Sequence, residues 1–127
     1  MIADYLQTRY RRHGRGPVEY DCYGLARAVR HEMFGRPLMP SYVEVVPDDK
    51  RMLTRAASDA LDHHLKPCDP KPGAIALAWR GRVCVHVGVL VVVDGRRWIL
   101  ETDEGTGPQL VPARSFAARY PRVEFYD

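Results

Sequence analysis

The chain has 127 residues, of which 46% are hydrophobic and 28% are charged, and its formal net charge is +3. This size predicts a single domain spanning 1–127, which can bury a core without disulfides or a structural metal. The 3 cysteines, an odd number, argue against a disulfide framework. The basic residues match no nucleic-acid-binding motif, so we expect no nucleic-acid partner.

The N-terminal residues lack the basic and apolar regions of a secretory signal. The longest apolar run, 83–93, is too short to cross a membrane and contains His86. We therefore expect a protein that is made in the cytoplasm without a signal peptide and has no membrane partner.

The predicted helices come before most of the predicted strands. Apolar spacing predicts helices over 2–11, 22–34 and 49–65, with a Pro-rich irregular stretch at 36–48. Beyond a turn at 70–73, the pattern predicts strands over 74–79, 83–93, 96–102, 109–111 and 123–126, with a short helix over 114–119. This segregation predicts an α+β fold in which N-terminal helices pack on a small antiparallel sheet.

A cysteine begins the second predicted helix. Asp21 is a good N-cap residue, which places Cys22 in the first helical turn, and Gly35 ends the helix. The helix dipole and the unpaired N–H groups there favour the thiolate, the reactive form of cysteine. The alternative is that Cys22 is a small core residue.

A histidine lies in the apolar run that precedes the Asp94–Gly95 hairpin turn. A two-residue turn pairs Gly88 with Glu101 and His86 with Asp103, so both carboxylates share a face with the imidazole. Either one would orient the ring and stabilise its charged form. The pattern thus supplies a thiol nucleophile, a base and an orienting acid, provided that the helix start meets the strand.

Three motifs together resemble the NlpC-type cell-wall cysteine peptidases. They are 21–25 (DCYGL), 71–75 (KPGAI) and 86–89 (HVGV), and the likeness is nearest to the branch found in bacteriophage tail-assembly genes. The resemblance covers about residues 10–112. It implies a papain-like fold, no cofactor, and hydrolysis of peptidoglycan stem peptides, commonly after a γ-linked D-glutamate.

The resemblance also implies roles for individual residues. Cys22 would be the nucleophile, His86 the base, and Tyr10, at the spacing of a family tyrosine, would help to build the substrate and oxyanion site. The third polar residue of the family is usually His, Asn or Gln, and Glu101 stands there, with Asp103 as the fallback. Asp21 and Tyr23, which flank Cys22, are further candidates for substrate contact, and a packing role is the equal alternative for Tyr23.

Other clusters are weaker candidates. Cys84 is the main rival nucleophile, although it lies in mid-strand without a helix dipole, and Cys68 lies in a proline-flanked loop. Metal ligands could come from His63, His64, Cys68, Cys84 and His86, with Cys84 and His86 expected on one sheet face, but the paired spacings that zinc prefers are absent. We expect no metal.

The sequence therefore predicts a peptidoglycan endopeptidase of a bacteriophage or prophage tail, which would act at the bacterial cell wall and contact tail-tip proteins. The alternative is a catalytically weak or inactive tail-assembly or adaptor protein that keeps the fold. An acyltransferase that acts on lipids is a third possibility, but no amphipathic membrane-seeking helix supports it.

Overall fold

The computed structural model describes residues 1–45 and 48–127, and its architecture is α+β, as predicted. Val46 and Pro47, in the stretch predicted to be irregular, lie outside the described residues. The elements in chain order are α1 (Ile2–Leu6), β1 (Arg9–Tyr10), β2 (Glu19–Tyr20), α2 (Cys22–Phe34), α3 (Lys50–His63), β3 (Ile75–Arg80), β4 (Val83–Val93), β5 (Arg96–Asp103), β6 (Gly107–Pro112), α4 (Ala113–Ala118) and β7 (Arg122–Tyr126).

The main sheet has five antiparallel strands in the order β6-β5-β4-β3-β7. The hairpin register around Asp94 is the predicted one, because Val93 pairs with Arg96 and Val89 pairs with Leu100. The described β4–β5 pairing ends at Val89, so the predicted backbone pairs of Gly88 and His86 are not part of the ladder.

Apolar side chains form one cluster on each face of this sheet. Alternate residues of β3 and β4 pack with α2 and α3 on one face, as the period of two along a strand requires. The cluster on the other face is smaller and is covered by Phe116 of α4. Helices α2 and α3 thus fix the sheet from one side, and α4 covers the opposite side.

The first predicted helix is wrong beyond Leu6. Residues after α1 form strand β1, which pairs in parallel with β2. The Arg9 N–H donates to the Val18 carbonyl and the Arg11 N–H to the Tyr20 carbonyl, each at 3.0 Å, so the backbone finds its partners in a strand rather than a helix. Tyr10 therefore lies on a strand.

The other predicted elements are confirmed with small shifts at their ends. Helix α2 begins after Asp21 and ends at Gly35, whose φ of 67° is the left-handed conformation that glycine adopts readily. Helix α3 stops at His63, slightly before the predicted end. No helix within residues 1–45 and 48–127 is long and apolar enough to cross a membrane.

Candidate active site

The Cys22 side chain lies in the first turn of α2. The Asp21 carboxylate accepts a hydrogen bond from the Gly24 N–H at 2.8 Å, which confirms the predicted cap and makes Cys22 the first helical residue. The end of a helix carries unpaired N–H groups and partial positive charge, and both stabilise a negative charge beside them.

The cap residue is itself held from outside the helix. The Asp21 carboxylate also accepts from the His13 N–H at 3.2 Å and pairs with Arg15 Nη1 at 2.7 Å, and the residue is 0% exposed. Arg15 donates further hydrogen bonds to the carbonyls of Ser41 and Tyr42. Both Asp21 oxygens are therefore occupied, and the structure places this predicted substrate contact in the scaffold that fixes the helix start.

Gly24 lets a loop approach the start of the helix closely. A Cβ atom at this position would lie 2.1 Å from the Gly14 carbonyl oxygen, closer than any real contact. The same carbonyl accepts the Asp21 N–H at 3.2 Å. The glycine that follows Cys22 in the motif is thus required by space, because the loop around Gly14 packs directly on the first turn.

A β-bulge in β4 precedes His86. The β3 partners shift between Ala78, which pairs with His86, and Trp79, which pairs with Cys84, so Val85 is an extra residue. Helix α3 fixes this bulge: Lys50 Nζ donates to the Val85 carbonyl at 2.9 Å, and a threonine hydroxyl of α3 accepts the Cys84 N–H at 3.0 Å.

The bulge separates the side chains of Cys84 and His86. Cys84 packs in the cluster beneath α2 and α3, whereas the His86 ring lies 5.9 Å from the ring of Phe116 on the other side. The sequence-based idea that Cys84 and His86 share one sheet face is therefore wrong, because the extra residue breaks the alternation of the strand.

His86 is 4% exposed and contacts an acid at its Nε2 atom. Nε2 lies 2.8 Å from Glu101 Oε1, while Nδ1 lies 4.0 Å from Asp103 Oδ2. Glu101 is itself 2% exposed, whereas Asp103 is exposed to solvent. Of the two acids that the register left open, Glu101 is therefore the one that holds the ring.

The Cys22 thiol lies close enough to the His86 imidazole to influence its protonation. Burial by itself favours the neutral ring, but the interactions with Cys22 and Glu101 outweigh it and raise the pKa of His86 from 6.5 to about 10. Because Glu101 occupies Nε2, Nδ1 is the nitrogen left for the thiol. We call these three residues the Cys22–His86–Glu101 cluster.

Two further side chains hold Glu101. Arg119 Nη1 lies 2.8 Å from Oε2 and 3.1 Å from Oε1, and Gln109 Nε2 donates to Oε2 at 2.9 Å. Burial by itself would raise the pKa of Glu101, but the hydrogen bonds from His86, Gln109 and Arg119 lower it below its usual value. Glu101 is thus held as a carboxylate.

The segment that starts with α4 covers the cluster. Phe116 is fully buried against His86, and the Tyr120 ring lies 6.3 Å from the imidazole. Arg119, between them, places its guanidinium 5.7 Å from the centre of the Phe116 ring. This short stretch therefore supplies both the apolar wall and the counter-charge of the cluster.

Tyr10, on β1, lies near Cys22. Its hydroxyl is buried and has no hydrogen-bond partner among residues 1–45 and 48–127. Burial, followed by the nearby Cys22 and by the carboxylates of Asp48, Asp21 and Asp103, raises the pKa of Tyr10 above its usual value. The hydroxyl is therefore a protonated donor that stands unused near Cys22.

Tyr23 has a packing position. Its hydroxyl donates to the Pro40 carbonyl at 2.6 Å, and its ring lies 5.4 Å from the ring of Tyr42 and 5.3 Å from the Arg15 guanidinium carbon. The structure thus uses this predicted substrate contact to join α2 to the segment around Tyr42.

The rival cysteines lack the features of an activated thiol. Burial raises the pKa of Cys84 to about 12, and burial also raises the pKa of Cys68. Within the described parts of the chain, no group of three or more His, Cys, Asp and Glu side chains is arranged to hold a metal ion.

Sequence reasoning missed Arg119, Gln109 and Arg15. Arg119 follows a six-residue helix and Gln109 lies on a sheet edge, and neither belongs to a recognisable motif. The one usable signal was Glu101 itself, because a buried carboxylate requires charged or hydrogen-bonding partners.

Two comparisons of the sequence with known proteins found no relative. No model of a known protein family matches the chain, and no curated protein matches it significantly.

Proposed function

We propose that this protein is a papain-like, NlpC-type cysteine peptidase that hydrolyses amide bonds of peptidoglycan stem peptides, with a γ-D-glutamyl bond as the preferred target. The observation that carries the peptidase proposal is the Cys22–His86–Glu101 cluster, in which a thiol at a helix start contacts an imidazole held by a buried acid. The substrate class rests on the motif resemblance.

The first half of the reaction uses the thiol and the imidazole. His86 takes the thiol proton, and the Cys22 sulfur attacks the amide carbonyl carbon, so that the carbonyl π electrons move to oxygen. When this intermediate collapses, the C–N bond breaks and His86 gives its proton to the departing amine. A thioester on Cys22 remains.

In the second half, water attacks the thioester carbon while His86 accepts a proton. The C–S bond then breaks, the proton returns to sulfur, and the carboxylic acid product leaves. Glu101 fixes the ring and stabilises its charged form throughout, the role of the acid in a Ser-His-Asp site.

Two donors are available for the oxyanion that forms at the carbonyl oxygen. One is the Cys22 backbone N–H, which comes before the first intrahelical hydrogen bond. The other is the Tyr10 hydroxyl, which is buried beside Cys22 and has no partner among the described residues.

The biological setting follows from the resemblance alone. We place the protein in a phage or prophage tail, made in the bacterial cytoplasm and acting at the cell wall, with tail-tip proteins as neighbours.

The test combines thiol labelling with digestion of peptidoglycan fragments. We expect iodoacetamide to label Cys22 faster than Cys68 or Cys84 at pH 6–7, and we expect His86→Ala to abolish this preference. Purified muropeptides should be cleaved by the wild type but not by Cys22→Ala or His86→Ala, with products identified by mass spectrometry.

Cys84→Ala is the matched control, because it removes a second buried thiol near the site and should leave both readouts intact. Labelling of Cys22 that is no faster than labelling of Cys68 would contradict the proposal.

A second candidate function is that of a tail-assembly or adaptor protein without turnover. The observation that favours it is the burial of the cluster, since Cys22 is only 3% exposed. In that case, binding to a tail protein would survive Cys22→Ala, and muropeptides would remain uncut by the wild type.

A further inference from the structure

Glu101 is a charged residue where the resembled family uses a neutral one. A buried carboxylate without a counter-charge is costly, and it would also hold a proton on the neighbouring imidazole. Here the charge is opposed on the far side, because Arg119 Nη1 contacts both carboxylate oxygens at 2.8 and 3.1 Å. The Arg119 side chain is 39% exposed, whereas Glu101 is buried beside the imidazole, so the Arg119–Glu101 ion pair extends from the surface to His86.

The contacts also divide the carboxylate into two sides. Gln109 occupies Oε2, together with the shorter Arg119 contact, whereas Oε1 faces His86 Nε2. Oε2 is therefore anchored by Gln109 and Arg119, and Oε1, which Arg119 also contacts, is directed toward the ring.

We propose that Arg119 is a positioning residue that fixes Glu101 against His86 and reduces the field that this carboxylate exerts on the ring. This inference rests on the proposed function. The net charge of the Glu101–Arg119 pair is zero, so the pair aligns the ring without adding the full field of a carboxylate.

Several other groups surround the imidazole and act on it together with this pair. The titratable and charged groups nearest to it are Cys22 from α2, Glu101 and Asp103 from β5, and Tyr120 after α4, with Arg119 behind Glu101.

Coulomb's law gives the direction in which each charge changes the pKa of His86. Loss of the Arg119 charge leaves the Glu101 carboxylate unopposed, which stabilises the imidazolium, so the pKa of His86 rises by about 1 unit. Glu101→Gln has the opposite effect, because it leaves the positive guanidinium near the ring. Removal of both charges restores a neutral neighbour.

The experiment measures the pKa of His86 by 15N NMR in a Cys22→Ala background, where the thiol no longer contributes. The His86 resonance is assigned by its absence from the spectrum of His86→Ala. In this background we expect Arg119→Met to raise the pKa of His86 by about 1 unit. Arg119→Lys, which keeps the charge, should leave it nearly unchanged.

The double variant Glu101→Gln/Arg119→Met should reverse the effect of Arg119→Met on the pKa of His86. It leaves no unpaired buried charge, so it folds even if Arg119→Met does not, and the pKa of His86 should return close to that of the Cys22→Ala parent. With Cys22 present, the alkaline limb of muropeptide cleavage should shift upward in Arg119→Met and return in the double variant.

An unchanged pKa of His86 in a folded Arg119→Met protein overturns this inference, as does a double variant whose pKa matches that of Glu101→Gln alone. Neither result affects the proposed function, which is tested by the dependence of Cys22 labelling on His86. Conversely, if that dependence is absent, the proposed function fails while the NMR result still reports on Arg119.

Discussion

At the scale of single residues, the Tyr10 hydroxyl is unusual because it is buried without a hydrogen bond to any residue of 1–45 or 48–127. Burial of a hydroxyl without a hydrogen bond costs free energy, and this one has no partner among the described residues. Under the proposed function, its position near Cys22 would explain this cost, because the donor would be free for a charge that develops during catalysis.

Tyr10→Phe should therefore separate stability from activity. The change keeps the ring and removes only an unpaired hydroxyl, so we expect the free energy of unfolding to stay constant or rise by up to about 1 kcal/mol. Muropeptide cleavage should fall about 10- to 1,000-fold in kcat through loss of an oxyanion donor.

Chemical denaturation and steady-state kinetics provide the two readouts for Tyr10→Phe. Tyr23→Phe is the matched control, since its hydroxyl is bonded to the Pro40 carbonyl. That control should lose stability but keep its activity, and the reverse pattern in the two variants would rule out the assigned role of Tyr10.

The sequence predicts the members of the Cys22–His86–Glu101 cluster better than the residues that support them. Cys22 is recognisable from a helix start and His86 from an unexpected imidazole in an apolar strand, since both signals are local. Arg119 cannot be recognised from the sequence. Its partner Glu101 is distant along the chain, and no local motif distinguishes Arg119 from the other arginines before the fold brings the two residues together.

At the scale of elements, α2 and α3 offer an internal comparison because both begin with an aspartate cap. Asp49 accepts from the Arg51 and Met52 N–H groups at 3.1 and 3.4 Å near solvent, whereas Asp21 is fully buried and also pairs with Arg15. Asp49 thus only caps α3, whereas Asp21 caps α2 and also holds the loop that contains His13 and Arg15.

Substitution of the two caps should have unequal costs. Asp49→Ala should lower the free energy of unfolding by about 1 kcal/mol, the usual value of a cap. Asp21→Ala should cost about 3–5 kcal/mol because it also removes the buried partner of the partly exposed Arg15 charge.

Thermal or urea unfolding measures both cap variants, and Cys22 labelling should slow only in Asp21→Ala. Equal costs for the two substitutions would mean that the contacts of Arg15 add nothing to the cap.

The elements that the sequence misses are the short ones. Helices α2 and α3 and the hairpin around Asp94 have periodic apolar patterns or turn residues, and they are confirmed. The two-residue strands β1 and β2 and the bulge at Val85 have no pattern of their own, since long-range backbone pairing creates them. For this reason a helix was predicted where Tyr10 lies on a strand.

At the scale of the whole molecule, Asp127 joins distant parts of the chain. Its carboxylate pairs with Arg30 of α2 at 3.2 Å, with Arg36 at 3.0 Å and with Lys71 at 2.9 Å. Burial by itself would raise the pKa of Asp127, but the hydrogen bonds from Arg36 and Lys71 lower it from 3.8 to about 2.

This lowered pKa predicts a pH-dependent contribution to stability. A carboxyl whose pKa is lower in the folded state stabilises the fold above the unfolded value near 4, and the effect disappears as the pH falls toward 2. We expect Asp127→Asn to lower the free energy of unfolding by about 1–3 kcal/mol at pH 7, with the difference vanishing near pH 2.

Urea unfolding at several pH values tests the contribution of Asp127. Asp62→Asn, at an exposed aspartate of α3, should have little effect at any pH. A deficit for Asp127→Asn that persists unchanged at pH 2 would show that the charge is not the cause.

The guanidinium of Arg119 has a consequence for the order in which the protein matures on the ribosome. Cys22 and His86 precede it along the chain, and Glu101 has no counter-charge until residues 113–119 have left the exit tunnel and packed on the sheet. A nascent chain that stops before Arg119 therefore contains Cys22, His86 and Glu101 without the charge that opposes Glu101. Ribosome-stalled chains of increasing length, labelled with iodoacetamide, should show fast labelling of Cys22 only after Arg119 is released.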